Sequence, residues 1–275
     1  MFFNQKVREA LQKIEEGVTE LLNSEKWRKY LEFQANFHQY SWGNCILILL
    51  QFPKATCVAG IKTWNKLGRY VKKGEKGIAI VAPCYKKEKV KTEEGEEKEV
   101  MVLTGFRTVY VFDISQTEGK PLPDVKLARI IQGETHLYLL LKQVCPFRVE
   151  EKEDLGVNGC FSRGMIKIRK DLPTAQKTKT LIHEWAHGIM HGDFVARFER
   201  QQIELEAESV AFSVCHVLGL DTSEYTFGYL AGWGGEDAVK LLKESADRIQ
   251  KATHQILSVI EATNQSSANI LQKVI

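Results

Sequence analysis

Apolar residues recur at three- and four-residue spacing near the start of the chain, at Val7, Leu11, Ile14, Val18 and Leu21–Leu22. That period predicts one or two amphipathic helices over residues 3–35. A denser apolar segment, Trp42–Phe52, is cut off by Pro53 and reads as a buried helix. The pattern then changes. Short β-branched runs at Cys57–Ile61, Tyr70–Val71 and Gly77–Pro83 are punctuated by Gly60, Gly68, Gly74 and Gly77, which predicts strands joined by turns. Lys86–Glu99 is dense in charge, with lysines at its start and glutamates around Gly95, as expected for the exposed turn of a hairpin. Val100–Ile114 returns as strand, and the Gly/Pro cluster at Gly119–Pro123 marks the expected boundary between domains at 1–123 and 124–275.

Beyond that boundary the periodicity is mostly helical. Leu127–Val144 reads as a helix and Gly164–Arg169 as a strand. Pro173 stands where a first helical turn would begin and Gly192 where that helix would stop. Gln202–Leu218 is a further helix, ended by Gly219. A last helix, Glu236 to Thr263, carries Val239, Leu242, Ala246, Ile249, Ile256 and Ile260 at near-heptad spacing; that stripe suits packing on the domain or, less readily, a dimer seam. The expected class is α+β, a small mixed N-terminal domain followed by a helix-rich one.

Composition narrows the class of protein. Apolar residues make up 44% and charged residues 27%, which excludes a disordered tail, a fibre and a small disulfide scaffold. The longest apolar run, Cys45–Leu50, is far short of the roughly 20 residues a bilayer span needs, and the first residues lack a secretory signal pattern. A cytoplasmic location without a membrane partner is expected. Charge is uneven: residues 1–128 hold 21 Lys/Arg against 16 Asp/Glu, the remainder 17 against 19, and 51–91 alone hold 11 against 2. That last stretch fits a polyanion-binding patch or a solvated basic face. The six cysteines form no C-x-x-C pair, so neither a zinc ribbon nor a thioredoxin-type motif is present.

The chemistry concentrates in His183-Glu184-Trp185-Ala186-His187, inside the helical stretch TLIHEWAHGIMHG. Residues four apart lie on one helix face, so two imidazoles can bind one metal ion side by side. Glu184 can then serve a water at that ion as general base. Given the His and Glu content, such a motif arises by chance in about 2% of chains, and its setting in an apolar helix of suitable length argues for a zinc site. Zinc needs a third protein ligand. His191 lies about 12 Å along the axis from His183 and cannot share its ion, so it suits a helix-end histidine bonding a neighbour. Glu204 on the next helix is the better candidate, with Glu208 one turn on as rival ligand or as partner of a ligand histidine. Ala207 and Ala211 would let the two helices approach closely, and Glu206 is expected on an exposed acidic face. Tyr225, Tyr229 and His216 are candidate donors to a developing oxyanion. Strand Gly164–Arg169 could present an edge to an extended peptide.

The front half, YSWGNCILILLQFPKATCVAGIKTWNKLGRYVKKGEKGIAIVAP continuing to FRTVYVFDISQTEGKPLP, resembles the N-terminal domain of the ArdC-type antirestriction proteins of plasmids and conjugative elements. Residues 176–220 are similar to the zincin-like metallopeptidase domain that accompanies it and, more distantly, to the ImmA/IrrE metallopeptidases. The resemblance implies single-stranded DNA binding in front. Lys62, Lys66, Arg69, Lys72, Lys73 and Lys76 would contact phosphates, and Tyr40, Trp42, Trp64 and Tyr70 would stack on bases. Trp42 and Trp64 fit the core equally well. Behind, it implies His183, His187 and Glu204 as ligands of Zn²⁺, Glu184 as the catalytic acid–base and Glu208 as the group supporting a ligand. The expected activity is hydrolysis of a protein or peptide substrate. Two alternatives are a DNA-coating protein whose metal site is structural, and an ImmA-like peptidase that cleaves a repressor.

Overall fold

The computed structural model describes residues 5–91, 97–122, 134–192, 200–225, 227 and 236–274. They form two compact units: Met1–Thr19 with Gly43–Leu122, and Glu20–Trp42 with Pro123–Ile275. The mixed α+β class is as expected. The 20–42 segment, however, was expected in the first domain and folds in the second unit. The physical reason is α2 (Ser24–Asn36), whose Trp27, Tyr30 and Leu31 are buried and whose Trp27 Nε1 donates to Ser209 Oγ at 3.0 Å.

In the first unit, α1 (Gln5–Glu20) turns Val7, Ala10, Ile14 and Val18 inward, and α3 (Trp42–Gln51) buries Cys45–Ile48. β1 (Val58–Ala59) and β3 (Ile78–Lys91) flank β4 (Glu97–Asp113) in one antiparallel sheet, with α4 (Ile61–Lys66) following β1 in the chain. β2 (Arg69–Val71) pairs with β5 (Thr117–Gly119) in a second, two-stranded sheet. The charge-dense segment is a hairpin: β3 and β4 pair from Ile78↔Val111 out to Lys91↔Glu97, with a register shift after Cys84. On its other side β3 is met by side-chain amides of α3. Asn44 exchanges two hydrogen bonds of 2.9 Å with the Val81 backbone, and Gln51 does the same with Ala79 at 2.8 and 3.0 Å. Seven residues separate these amides, two helical turns, so one helix face substitutes for a neighbouring strand. Asp113 closes β4. Its carboxylate accepts from the backbone N–H groups of Thr56, Cys57 and Ser115; burial alone would raise its pKa, but these donors hold it below the usual value.

The second unit is built around one helix. α5 (Glu134–Val144) is the described part of the helix expected from Leu127; the earlier residues lie outside the described set. A three-stranded sheet follows in the order β6 (Arg148–Lys152), β8 (Met165–Arg169), β7 (Gly159–Ser162), with β6 parallel and β7 antiparallel to β8. Next come α6 (Thr174–Met190), α7 (Arg200–Val217) and α8 (Glu236–Val274). α7 is buried on almost every side because α2, α6 and α8 all pack on it. Ala207 and Ala211 are fully buried, as a close helix crossing requires. The apolar stripe of α8 is consumed within the unit: Leu242, Ala246, Ile249, Ile256 and Ile260 are all buried. Gln250 Nε2 donates to the carbonyls of His38 and Tyr40, tying the segment after α2 to α8.

Candidate metal centre

α6 begins after Pro173 and ends where Gly192, at φ +52°, takes a left-handed turn and returns its N–H to the His187 carbonyl. Glu151 anchors the helix to the sheet, since Lys177 of α6 donates to it at 2.6 Å and Tyr138 of α5 at 3.1 Å. Between these restraints α6 turns His183 and His187 toward α7, where Glu204 waits one turn from the helix start. His183 Nε2 and His187 Nε2 lie 3.0 Å apart, and Glu204 Oε2 lies 3.6 and 3.8 Å from them. A triangle with those sides has a circumradius of about 2.0 Å, the bond length of zinc and similar ions to imidazole nitrogen and carboxylate oxygen. Among the described residues these three are the group of His, Cys, Asp and Glu side chains that could hold a metal ion. The donor set fits.

Each group's field follows from the others. Burial opposes charge on His183, yet the Glu204 carboxylate 3.6 Å away and the fields of Glu184 and Glu208 outweigh it and raise the pKa. For His187 burial prevails and the pKa falls. Glu204, flanked by both imidazoles, is held far below the usual carboxylate range. Glu184 is buried beside the triangle; burial raises its pKa although His183 and the Phe161 backbone partly compensate. Gly159 makes room for it, because a Cβ there would meet Thr180 Cγ2 at 2.5 Å and Glu184 Oε1 at 3.2 Å.

Two clefts open onto the centre. One, about 540 Å³, is lined by Val157, Cys160, Phe161, Arg200, Ile203 and Glu204 among others. The other, about 350 Å³, reaches His183 and Glu184 past Lys179, Glu208, Glu224 and Tyr225. Glu208, expected either as ligand or as support, thus lines a cleft next to the triangle and is not one of its corners. Of the oxyanion candidates, Tyr225 lines that cleft, His216 stacks on Phe212, and Tyr229 lies outside the described residues. The peptide edge also moves. β8, expected to offer it, is the central strand, and the outer strand at the centre is β7.

Glu206 corrects the expectation of an exposed acid. Its side chain is 0% exposed and accepts from Ser245 Oγ at 2.7 Å and from both Nε and Nη2 of Arg248. Its other partner is His191 Nε2 at 3.0 Å, while His191 Nδ1 faces His187 Nδ1 at 3.2 Å. Burial alone would raise the Glu206 pKa, but these partners hold it below normal. The sequence signal for this cluster was weak: Ser245 and Arg248 interrupt the stripe of α8 without saying what they face.

The expected nucleic-acid contacts divide. Lys62, Lys66, Lys72, Lys73 and Lys76 are exposed on the first unit. Trp64 is not a stacking surface: it is fully buried and its Nε1 donates to the Phe112 carbonyl at 2.9 Å. Its position on the inner side of a short helix between two sheet segments makes it core. Arg69 is turned inward along its own sheet, donating to Thr117 Oγ1, Thr117 O and Lys120 O. Tyr40 and Trp42 belong to the second unit, Trp42 as the first residue of α3, whose other residues belong to the first. Tyr70, 58% exposed on β2, is the aromatic that remains among those lysines.

Residues 4–112 match the N-terminal domain of anti-restriction factor ArdC. An uncharacterized protein of Bacillus anthracis is 28% identical over 304 residues, covering 94% of this chain and 51% of the relative, so the chain spans about half the length of that curated relative. The crystal structure of antirestriction ArdC protein from the R388 plasmid in its metal-free form is 19% identical, covers 82% of this chain and 85% of its own, and superposes with a TM-score of 0.47. The Mn(II)-bound form gives 20%, 79%, 84% and 0.45.

Proposed function

We propose, from the match of residues 4–112 to the N-terminal domain of anti-restriction factor ArdC, that this is a bifunctional ArdC-type protein: the first unit binds single-stranded DNA, and the second is a zinc-dependent peptidase. The observation that carries the enzymatic half is the 3.0, 3.6 and 3.8 Å triangle of His183, His187 and Glu204 with buried Glu184 beside it. A bound zinc ion supplies Lewis acidity, polarising a carbonyl and acidifying a water toward neutral pH. The remaining work falls to the protein. His183, His187 and Glu204 hold the ion. Glu184, its pKa raised by burial, accepts the proton of the attacking water and passes it to the leaving amine. Tyr225, in the same cleft, is the donor best placed for the developing oxyanion. Among the described residues β7 has one strand neighbour, and its outer side would offer backbone groups to an extended substrate chain.

DNA binding rests on the family match together with the exposed Lys62–Lys76 cluster around Tyr70, where cations follow phosphates and an aromatic ring stacks on a base. The deciding experiment is elemental analysis of the purified chain beside His183→Ala and Glu204→Ala. Near-stoichiometric zinc in the parent and none in either variant is the expected result; a parent that takes up no metal when offered it removes the peptidase from the proposal.

A further inference from the structure

Beyond the three proposed ligands, a chain of polar side chains runs from His187 to α8, with His191, Glu206 and Ser245 buried along it. His187 Nδ1 faces His191 Nδ1 at 3.2 Å, His191 Nε2 faces Glu206 Oε2 at 3.0 Å, and Glu206 is clasped by Arg248 and Ser245. The His191 and Glu206 side chains are 1% and 0% exposed. Such groups are costly to bury unless every partner is satisfied, and here they are joined end to end.

The order of protons along the chain follows from its two ends. Arg248 donates and cannot accept, and it donates to both carboxylate oxygens of Glu206, so Glu206 serves as an ionised acceptor. An ionised Glu206 requires a proton on His191 Nε2. Of the two imidazole tautomers of His191, the one with its proton on Nε2 leaves Nδ1 without hydrogen, and that nitrogen can only accept. The group opposite it, His187 Nδ1, must therefore be the donor, and a neutral His187 protonated at Nδ1 has its Nε2 lone pair free. That Nε2 is the atom 3.0 Å from His183 Nε2 and 3.8 Å from Glu204 Oε2.

We propose that His191, Glu206 and Arg248 are positioning residues that select the Nδ1–H tautomer of His187 and hold its ring so that Nε2 points at the metal. This rests on the metal-site reading above. It assigns the support of a ligand histidine to His191 and Glu206, where the sequence had suggested Glu208. It also makes α8 part of the centre, since Arg248 and Ser245 reach Glu206 from that helix.

The test measures Zn²⁺ affinity by competition with a chromophoric chelator, and the visible absorption of the Co²⁺-loaded protein, for the parent, His191→Phe, Glu206→Gln and the charge-balanced pair Glu206→Gln with Arg248→Gln. Thermal unfolding without metal identifies variants that have lost the fold, and the paired variant guards against a lone half-buried guanidinium. Folded variants should bind Zn²⁺ about 10- to 100-fold more weakly, with an altered Co²⁺ spectrum. Folded variants within twofold of the parent would overturn the proposal. Independently of any variant, ring ¹⁵N shifts of the Zn²⁺-loaded parent should show His187 protonated at Nδ1 and His191 at Nε2; the opposite tautomers would overturn it too. A parent that binds no metal defeats the underlying site, whereas a tight parent with indifferent variants defeats this inference alone.

Discussion

The two units concentrate charge in opposite ways. In the second, three ligating atoms converge within 4.8 Å, half-enclosed, and each shifts the ionisation of the others. In the first, Lys62, Lys66, Lys72, Lys73 and Lys76 are all exposed to solvent. A site for a small ion is fixed by a few distances, so one substitution can abolish it. A surface for a polyanion is a sum of screened terms, so removing one erodes it by a fraction.

The sharpest way to break that contrast is at the centre itself. Glu184→Gln should retain zinc yet lower peptide hydrolysis by at least about 10²-fold, the usual worth of a positioned acid–base. Hydrolysis that persists in this variant, measured against any cleaved polypeptide, removes Glu184 from its role. His183→Ala should instead lose the metal, separating ligand from proton carrier.

Trp64 tests whether the first unit's aromatic residues serve surface or core. Trp64→Ala should destabilise that unit by about 3–5 kcal/mol in denaturant unfolding, the usual range for a fully buried aromatic. Tyr70→Ala should leave stability within about 0.5 kcal/mol, as for an exposed position, while weakening oligonucleotide binding. Unchanged stability in the Trp64 variant would return that ring to the list of stacking candidates.

Asp113 gives a smaller and pH-dependent effect. Its folded pKa is depressed, so its contribution is complete above the unfolded value of about 3.9 and is lost as pH falls through the folded value. Asp113→Asn should cost about 1–3 kcal/mol at neutral pH, and the difference from the parent should shrink in acid. A difference that grows on acidification contradicts the depressed pKa.

Smallest of all is a single neutralisation in the cluster. Each of Lys62→Gln, Lys66→Gln and Lys73→Gln should lower the salt slope of single-stranded DNA binding by about 0.7 and leave folding untouched. If one such change abolishes binding, the distributed picture is wrong and that lysine occupies a defined pocket.

Local spacing made the centre legible because helix geometry is a short-range law. His183 and His187 share a face by their four-residue separation, and Gly192 marks the end of their helix by its backbone freedom. Glu204 could be named because a third ligand had to come from the next helix, although choosing it over Glu208 needed the distance between helices. Other residues were read less well for one common reason. Trp64, Glu206 and Arg69 are an aromatic, an acid and a base that each take a partner from a segment 42 to 51 residues away in the chain. Side-chain type states what a residue can do in water, whereas burial and partners depend on what packs over it.

The sequence by itself determined the longer helices and the β3–β4 hairpin, the two imidazoles on one face, the apolar stripe of α8 and the basic composition of the front half, all consequences of spacing and residue type. The short α4 and strands β5, β6 and β7 left no such pattern. Tertiary structure alone decided that residues 20–42 fold with the second unit, that β7 and not β8 is the outer strand, and that Glu206 is a buried anchor and Trp64 a core residue. Those outcomes turn on which surfaces exclude water together. That is set by contacts between distant segments, which no local pattern records.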